Sequence, residues 1–345
     1  MPKALILGLA GAQLTHSERS LFAEADALGY ILFSRNCRTP DQVRALTADL
    51  RSISGRGDVA ILIDQEGGRV ARLGAPHWRE APNAAAFGVL YRQSQERGLG
   101  AVQLNARLIG AELHDLGINV DCAPVLDLPR DGADPIIGDR AFSDDAMTIS
   151  ALGLAFCEGL LAAGVLPVLK HIPGHGRAEA DSHVALPRVA TPWAELAVTD
   201  FVPFRALSRG LSPKPWAMTA HVVFTAMDSD HPATLSKTVI DEVIRRAIGF
   251  DGIVISDDLS MKALSGPIGT RSRDAFAAGC DLILHCNGDM AEMAAAAQES
   301  PDLSVDITTK LAASLGALET PGDFDRDQSV MELESYFKEI GGSAT

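Results

Sequence analysis

Positive charge is scarce in this sequence. The 345 residues include 30 lysines and arginines against 45 aspartates and glutamates, which gives a net charge of −15. A chain with this charge repels phosphate backbones and anionic lipid surfaces, so we expect no nucleic-acid partner. No apolar stretch approaches the roughly 18 residues of a membrane span, so we expect no membrane partner. Hydrophobic residues nevertheless make up 47% of the chain, which is enough to bury the core of a globular protein.

Paired cysteines are missing as well. The sequence has five cysteines without a CxxC pair, namely Cys37, Cys122, Cys157, Cys280 and Cys286. Their odd number and the apolar surroundings of three of them favour reduced thiols in a reducing compartment over a disulfide framework. The first residues, MPKALILGLAGAQL, imitate a secretory signal. Because the apolar run is only about eight residues long and contains glycines, we interpret it as a first buried strand.

Short apolar runs recur along the chain, and most of them are followed by a helical pattern. The eight runs are ALILGL (4–9), YILFSR (30–35), VAILIDQE (59–66), INVDCAPVLD (118–127), VLPVLKHI (165–172), WAMTAHVVF (216–224), GIVISDDL (252–259) and DLILHCN (281–287). The helical patterns include 40–51, 96–116, 147–163, 200–209, 236–247 and 271–278. Continuous apolar runs are typical of strands buried on both faces of a parallel sheet.

Eight strand–helix units predict an α/β fold, a single-domain (β/α)₈ TIM barrel. The alternative is a doubly wound open sheet. We place the barrel at residues 1–320 and an acidic C-terminal tail at 321–345, with one helix around 328–339.

Polar residues stand at the ends of six of the predicted strands. They are Asp64, Gln65 and Glu66; Asp127; Lys170 and His171; His221; Asp257 and Asp258; and His285 and Asn287. In both candidate folds, ligands bind at the carboxyl ends of the strands. The convergence of these side chains on one rim therefore predicts a binding site there.

The segment VISDDLSM (254–261) places two aspartates where the seventh strand should become a loop. An aspartate directly before Leu-Ser-Met has a structural alternative, because it accepts orphan backbone N–H groups as a helix cap. We assign that capping role to Asp258 and leave Asp257 for chemistry.

The segment KHIPGHGRAEADSH (170–183) holds three histidines. A metal site would use His171 and His175, but such a pair converges on one metal only when a helix carries it. Pro173 and the neighbouring glycines prevent a helix there, so we expect no metal. The other interpretation pairs Asp181 with His183, because a carboxylate beside an imidazole favours its charged form and makes it a proton donor and acceptor near neutral pH. The alternative is that Asp181 and His183 are solvated charges on an ordinary surface loop.

Six segments together resemble the retaining β-N-acetylhexosaminidases of glycoside hydrolase family 3, the single-domain bacterial type that acts on peptidoglycan fragments. They are LIDQEGGRVARL (62–73), INVDCAPVLDL (118–128), IIGDRAFSDD (136–145), VLKHIPGHGRAEADSH (168–183), MTAHVVF (218–224) and VISDDLSM (254–261). They occur in family order and cover the chain from about 5 to 290. The resemblance implies a (β/α)₈ barrel.

The resemblance also implies the roles of individual residues. Asp257 matches the nucleophile that attacks the anomeric carbon, and His183, assisted by Asp181, matches the acid/base on the loop after the fifth strand. The implied sugar-binding residues are Asp64, Arg72, Arg140, Lys170 and His171. A histidine–aspartate proton shuttle departs from the usual pair of carboxylates, which lie about 5–5.5 Å apart in retaining glycosidases.

Several side chains keep a second interpretation at this point. Lys170 in a largely apolar run needs a buried partner, which favours function, whereas Arg140 in its polar Gly-Asp-Arg context would by itself be an ordinary solvated arginine. His221 either supports the site or is a satisfied core histidine. Asp127 either faces the pocket or caps the following loop. His285 is more typical of a packed residue.

The predicted function is exo-hydrolysis of terminal β-linked N-acetylglucosamine (GlcNAc) through a covalent glycosyl–Asp257 intermediate. The resemblance implies a muropeptide or disaccharide that carries 1,6-anhydro-N-acetylmuramic acid, in cytoplasmic cell-wall recycling. We expect a small-molecule amino-sugar substrate, no cofactor and a monomeric chain. Three alternatives stay open: phosphorolysis by the same residues, a sugar-binding barrel without catalysis, and attack by the substrate's own acetamido group.

Overall fold

The structure is a computed structural model that describes residues 1–182 and 185–338. Eight parallel strands form a closed barrel in which each strand pairs with the next along the chain and the last pairs with the first. The barrel strands are β1 (Lys3–Leu7), β2 (Ala27–Leu32), β3 (Ala60–Ile63), β4 (Val120–Asp121), β5 (Leu166–Ile172), β6 (Trp216–Thr219), β7 (Val254–Asp258) and β8 (Leu282–His285). Closure confirms the predicted barrel and excludes the open sheet.

Helices surround the barrel between and after the strands. They are α1 (His16–Ala25), α2 (Pro40–Ser54), α3 (Ala84–Gln93), α4 (Gln95–Asp115), α5 (Ala146–Ala162), α6 (Trp193–Val198), α7 (Phe201–Gly210), α8 (Ile268–Ala278), α9 (Met290–Glu299), α10 (Val305–Ala312) and α11 (Arg326–Lys338). The helical pattern at 236–247 becomes a π-helix over Val239–Ile248. Within the described part of the chain, no helix has the length and apolar character to cross a membrane.

Each barrel strand is buried on both faces, which explains the continuous apolar runs. In β1, Leu5 and Leu7 pack outward under the helices, whereas Ala4 and Ile6 belong to a separate cluster that fills the barrel interior. Every other barrel strand also contributes to this inner cluster, for example through Leu62 of β3. Side chains therefore fill the barrel, and a ligand has access only at its ends.

The helix α1 has a start signal that hydrophobic periodicity alone does not reveal. The Thr15 hydroxyl accepts the Glu18 backbone N–H at 3.1 Å, and the Glu18 carboxylate accepts the Thr15 N–H at 2.8 Å. This reciprocal pair is a capping box. The same carboxylate accepts the Ala10 N–H at 2.8 Å, so it also fixes the loop that leaves β1.

The C-terminal helix α11 is attached to the barrel and begins two residues before the predicted boundary. Its Leu333 is buried, and Arg97 of α4 donates a hydrogen bond to the carbonyl of Tyr336 at 3.0 Å. Arg326 donates to the carbonyl of Ala111 at 3.0 Å. The helix therefore packs on α4.

Candidate active site

A cavity of about 220 Å³ opens at the carboxyl ends of the strands. Six of the eight predicted site residues line it: Asp64, Arg72, Arg140, Lys170, His171 and Asp257. They come from the ends of β3, β5 and β7 and from the segments that follow β3 and β4. The barrel therefore brings together residues that are far apart in the sequence.

The two remaining predicted residues belong to the loop after β5. Asp181 is half-buried, its carbonyl accepts the Ala185 N–H at 3.0 Å, and it is not among the described residues that line the cavity. His183 lies outside the described residues. The predicted acid/base pair therefore stays a prediction.

Lys170 is the buried cation at the centre of the cavity wall. Its Nζ lies 2.8 Å from Asp64 Oδ1 and 2.6 Å from Glu66 Oε1, and its side chain is only 3% exposed. These carboxylates are the buried partners that an apolar strand requires for a lysine. The residue between them, Gln65, points elsewhere because side chains alternate along a strand.

The side chain of Arg140 is only 9% exposed, which excludes the alternative of an ordinary solvated arginine. Its Nε and Nη2 each donate to one oxygen of Glu66 at 2.8 Å, in a bidentate pair. A third N–H donates to the carbonyl of Ile136 at 3.2 Å. Glu66 therefore holds both Lys170 and Arg140. Sequence reasoning noted Glu66 as a strand-end residue but gave no basis for choosing it over its neighbours.

Arg72 reaches the same network from a short hairpin. Strand segments Gln65–Gly67 and Val70–Ala71 pair antiparallel, and the Gln65 side chain accepts the Arg72 N–H at 2.8 Å. The Arg72 Nη2 then lies 3.1 Å from Asp64 Oδ2. Asp64 is thus shared between a buried ammonium and a partly exposed guanidinium.

Burial and charge pairing act in opposite directions in this network, and pairing prevails. Burial alone raises the pKa of Asp64, but Lys170 and Arg72 outweigh it and hold the pKa below its ordinary value. Likewise, burial raises the pKa of Glu66, but Lys170 and Arg140 lower it. Burial lowers the pKa of Lys170, and the two carboxylates raise it above the ordinary lysine value. Asp64, Glu66 and Lys170 are therefore charged at neutral pH, and their mutual ion pairs hold them in place.

His171 is oriented by a buried carboxylate. Its Nδ1 lies 2.7 Å from Asp127 Oδ2, and Asp127 Oδ1 accepts the backbone N–H groups of His171 and His175 at 3.1 and 2.7 Å. With Nδ1 engaged, Nε2 is the ring nitrogen that remains for a ligand. Asp127 therefore neither caps its own loop nor lines the cavity; it positions His171.

The second histidine of this segment is neutral. Burial, with the neighbouring His171, lowers the pKa of His175 to about 4, and its Nε2 lies 3.2 Å from Ser182 Oγ. In residues 1–182 and 185–338, no group of three or more histidine, cysteine, aspartate or glutamate side chains is placed to hold a metal ion.

The carboxylates of the two aspartates of β7 make different hydrogen bonds. The Asp258 carboxylate accepts the N–H groups of Ser260 and Cys286 at 2.9 and 3.0 Å and the Ser260 hydroxyl at 2.6 Å, so it caps a turn and not a helix. Both aspartates line the cavity, and Asp257 Oδ1 accepts the Asp258 N–H at 2.7 Å. His221 supports this backbone from below, since its Nε2 lies 3.0 Å from the Asp258 carbonyl. His285 is a packed residue beside Glu292, at 3.0 Å.

The loop after β5 is fixed along its first half. Arg177 pairs with Asp200 at 2.8 Å and Glu195 at 2.7 Å, and the Gly176 carbonyl accepts the Arg130 N–H at 3.1 Å. A Cβ on Gly176 would lie 2.1 Å from the Leu128 carbonyl oxygen. Gly176 therefore serves close packing against Leu128.

Asp121, at the end of β4, is a buried carboxyl group that sequence reasoning did not single out. Its Oδ1 accepts the Gln65 N–H at 2.9 Å, and Oδ2 has no hydrogen-bond partner among the described residues. Burial, together with the nearby Asp64 and Glu66 carboxylates, raises the pKa of Asp121 to about 7. Asp121 therefore supports the charged network from beneath without adding a full negative charge below that pH.

An Asp121→Asn variant tests this protonation state, because asparagine keeps an acceptor for Gln65 but cannot ionise. An unfolded aspartate releases its proton near pH 3.8, whereas folded Asp121 keeps it to about pH 7. Between these pH values the folded state binds more protons than the unfolded state. The free energy of unfolding of the wild type therefore falls as pH rises through them.

Relative to the wild type, the asparagine variant should therefore gain stability between these pH values, by about 3–4 kcal/mol in total. Urea unfolding of both proteins at a series of pH values measures the difference. A stability difference that stays constant from pH 4 to pH 8 would show that Asp121 is ionised throughout.

Comparisons with known proteins show which family the chain belongs to. Residues 3–309 match the family described as the glycosyl hydrolase family 3 N-terminal domain. A β-hexosaminidase from Alkalilimnicola ehrlichii is 40% identical over 285 residues, which cover 82% of this chain and 80% of that protein. Two of the solved structures that this chain resembles illustrate the similarity.

One is a family 3 β-N-acetylglucosaminidase from Paenibacillus sp., with a TM-score of 0.79 and 33% identity, covering 99% of this chain and 62% of that one. The other is NagZ from Neisseria gonorrhoeae in complex with N-trifluoroacetyl-D-glucosamine, with a TM-score of 0.82 and 30% identity. That match covers 100% of this chain and 98% of that one.

Proposed function

This chain belongs to glycoside hydrolase family 3 and is a β-N-acetylhexosaminidase, and we propose that it removes terminal GlcNAc from peptidoglycan fragments with retention of configuration. The proposed substrate is GlcNAc linked to 1,6-anhydro-N-acetylmuramic acid, with or without a peptide. One observation carries the proposal. The carboxylate-bearing end of β7, with Asp257, lines the same cavity as the Lys170–Asp64–Arg72 network.

The network supplies the groups that an amino sugar requires. Vicinal hydroxyls act as donor and acceptor at once, so they bind well between a carboxylate and a fixed cation. Asp64 offers the acceptor, and Lys170 and Arg72 offer donors on either side of it. His171 adds a ring nitrogen that Asp127 orients. We assign the sugar-binding role to these residues and to Arg140, which fixes the shared Glu66 carboxylate.

We assign nucleophilic attack to Asp257. Cleavage passes through an oxocarbenium-like transition state, which an anion beneath the sugar ring stabilises. An Asp257 oxygen then forms a bond to the anomeric carbon while the bond from that carbon to the leaving oxygen breaks. Water later attacks the same carbon and releases Asp257 as a carboxylate. Two inversions at one carbon give net retention.

We assign proton transfer to His183 with Asp181, on the strength of their match to the family motif. The imidazolium donates its proton to the leaving oxygen in the first step, and the imidazole takes a proton from the attacking water in the second. His175 is unsuited to this role, because its pKa of about 4 leaves it without a proton to donate at neutral pH. The ion pair between Arg177 and Asp200 anchors the part of the loop that precedes Asp181.

Two observations support the cell-wall substrate and the cytoplasmic location that we propose with it. The sequence motifs are those of the bacterial single-domain type that acts on peptidoglycan fragments. All five cysteines are free thiols, and four of them are buried. Free, buried thiols suit a reducing compartment, where recycled wall fragments would meet the enzyme.

The anomer released first tests the proposed function. With the disaccharide GlcNAc–1,6-anhydro-N-acetylmuramic acid as substrate, we expect β-GlcNAc to form first, because displacement by Asp257 and then by water restores the configuration. Proton NMR during the first turnovers measures it, in buffers with and without phosphate. Initial α-GlcNAc would contradict retention. If GlcNAc 1-phosphate were the main product in phosphate buffer, the reaction would be phosphorolysis and not hydrolysis.

The acid role of His183 is tested by leaving-group dependence. General acid catalysis contributes about 10²–10⁴-fold to the rate. A good leaving group needs little protonation, so His183→Ala should slow a phenyl β-N-acetylglucosaminide far more than its 2,4-dinitrophenyl analogue. Initial rates on both substrates measure the ratio.

Two further variants serve as controls for that experiment. His171→Ala, which removes a sugar-binding group, should slow both substrates equally, and His231→Ala, at an exposed surface position, should slow neither. If His183→Ala slowed both substrates equally, His183 would not be the general acid.

A further inference from the structure

Two arginine side chains lie over the same phenylalanine ring at the rim of the cavity. The Cζ atoms of Arg35 and Arg72 lie 4.8 and 5.2 Å from the centroid of the Phe33 ring, and Phe33 lines the cavity. A guanidinium within about 6 Å of a ring centroid is attracted to the face of the ring. We propose that Phe33, held in place with Arg35, is a positioning residue that orients the guanidinium of Arg72 for the sugar. This inference rests on the proposed function, and it adds a residue that the reaction scheme does not use.

The backbone of Phe33 is fixed to the loop after β1. Its N–H donates to Asn36 Oδ1 at 2.8 Å, and Asn36 is fully buried. The Asn36 amide nitrogen in turn donates to the carbonyls of Leu9 and Gly11 at 3.2 and 2.8 Å. The ring therefore projects from a segment that hydrogen bonds tie to the neighbouring strand end.

Arg35 is exposed, but two backbone carbonyls hold its guanidinium. Its Nε donates to the Leu9 carbonyl at 2.7 Å, and its Nη2 donates to the Cys286 carbonyl after β8. These contacts bind the guanidinium to the ends of two barrel strands. Arg35 therefore supports the Phe33 ring from a position that the backbone of both strand ends fixes.

Arg72 needs a second contact to define its orientation. Its side chain makes one ion pair, from Nη2 to Asp64 at 3.1 Å, and its Nε has no hydrogen-bond partner among the described residues. One contact of this kind leaves a planar guanidinium free to rotate about it. The Phe33 ring supplies the face that restricts this rotation, so it sets the direction in which the remaining N–H groups meet a ligand.

Phe33→Leu tests the proposal, because leucine keeps an apolar side chain but removes the ring face. We expect kcat/KM on an aryl β-N-acetylglucosaminide to fall about 5–20-fold, through KM with kcat nearly unchanged, as for lost ground-state binding. The affinity for free GlcNAc, measured by calorimetry, should fall by a similar factor. Phe33→Tyr should restore both values to within about twofold of the wild type.

A double variant separates positioning from a general structural role. In an Arg72→Ala background, Phe33→Leu should cause no further loss, because coupled residues are not additive. Phe324→Leu is the matched control: Arg107 Cζ lies 4.2 Å from the Phe324 ring centroid, and neither residue lines the cavity. This variant should leave both constants unchanged.

Three results would overturn the proposal: no effect of Phe33→Leu, the same loss in the Arg72→Ala background, or an equal loss from Phe324→Leu. Failure of the proposed function looks different. In that case the wild type would not turn over the aryl glycoside, whereas calorimetry with GlcNAc would still report on the role of Phe33.

Discussion

The ammonium group of Lys170 is the charge around which the site is built. It is buried on the fifth strand, where an unpaired charge would cost several kcal/mol, and it is stabilised only because Asp64 and Glu66 reach it from the third strand. Removing one partner from such a buried pair costs about 3–5 kcal/mol, since the remaining charge is left uncompensated. The ends of β3 and β5 are therefore locked to each other. Arg72 and Arg140 attach to the same carboxylates, so one buried cation sets the geometry of the cavity wall to which we assign sugar binding.

Two further cavity residues, His171 and Asp257, depend on a second set of buried contacts. Asp127 holds His171, and His221 holds the backbone at Asp258, which keeps the neighbouring Asp257 at the cavity. None of these supporting side chains needs to touch the substrate. They fix rotamers and strand ends, and a site that is fixed before binding does not spend binding energy on reorganisation. The barrel thus separates residues that position from residues that bind and react.

The fold could be read from the sequence because its signals repeat. Eight apolar runs followed by helical patterns leave few architectures, and α4, predicted over 96–116, forms over Gln95–Asp115. The site could be read only in part. The motifs identified Asp64, Lys170 and Asp257, but the burial of Arg140 depends on Glu66, which is distant in sequence and close only in the folded chain. The same limit applies to Asp121 and Phe33, whose roles come from contacts across strands. Propensity and spacing carry no information about such long-range pairs.

The central claim is that Asp257 forms a covalent bond to the sugar, and trapping tests it most directly. Treatment with a 5-fluoro derivative of N-acetylglucosaminyl fluoride, followed by intact-mass and peptide mass spectrometry, should give one glycosyl adduct on Asp257, because the fluorine slows hydrolysis of the intermediate. A label on another residue would contradict the assignment. The absence of any adduct, together with tight inhibition by a thiazoline that mimics an oxazoline, would show that the acetamido group of the substrate is the nucleophile.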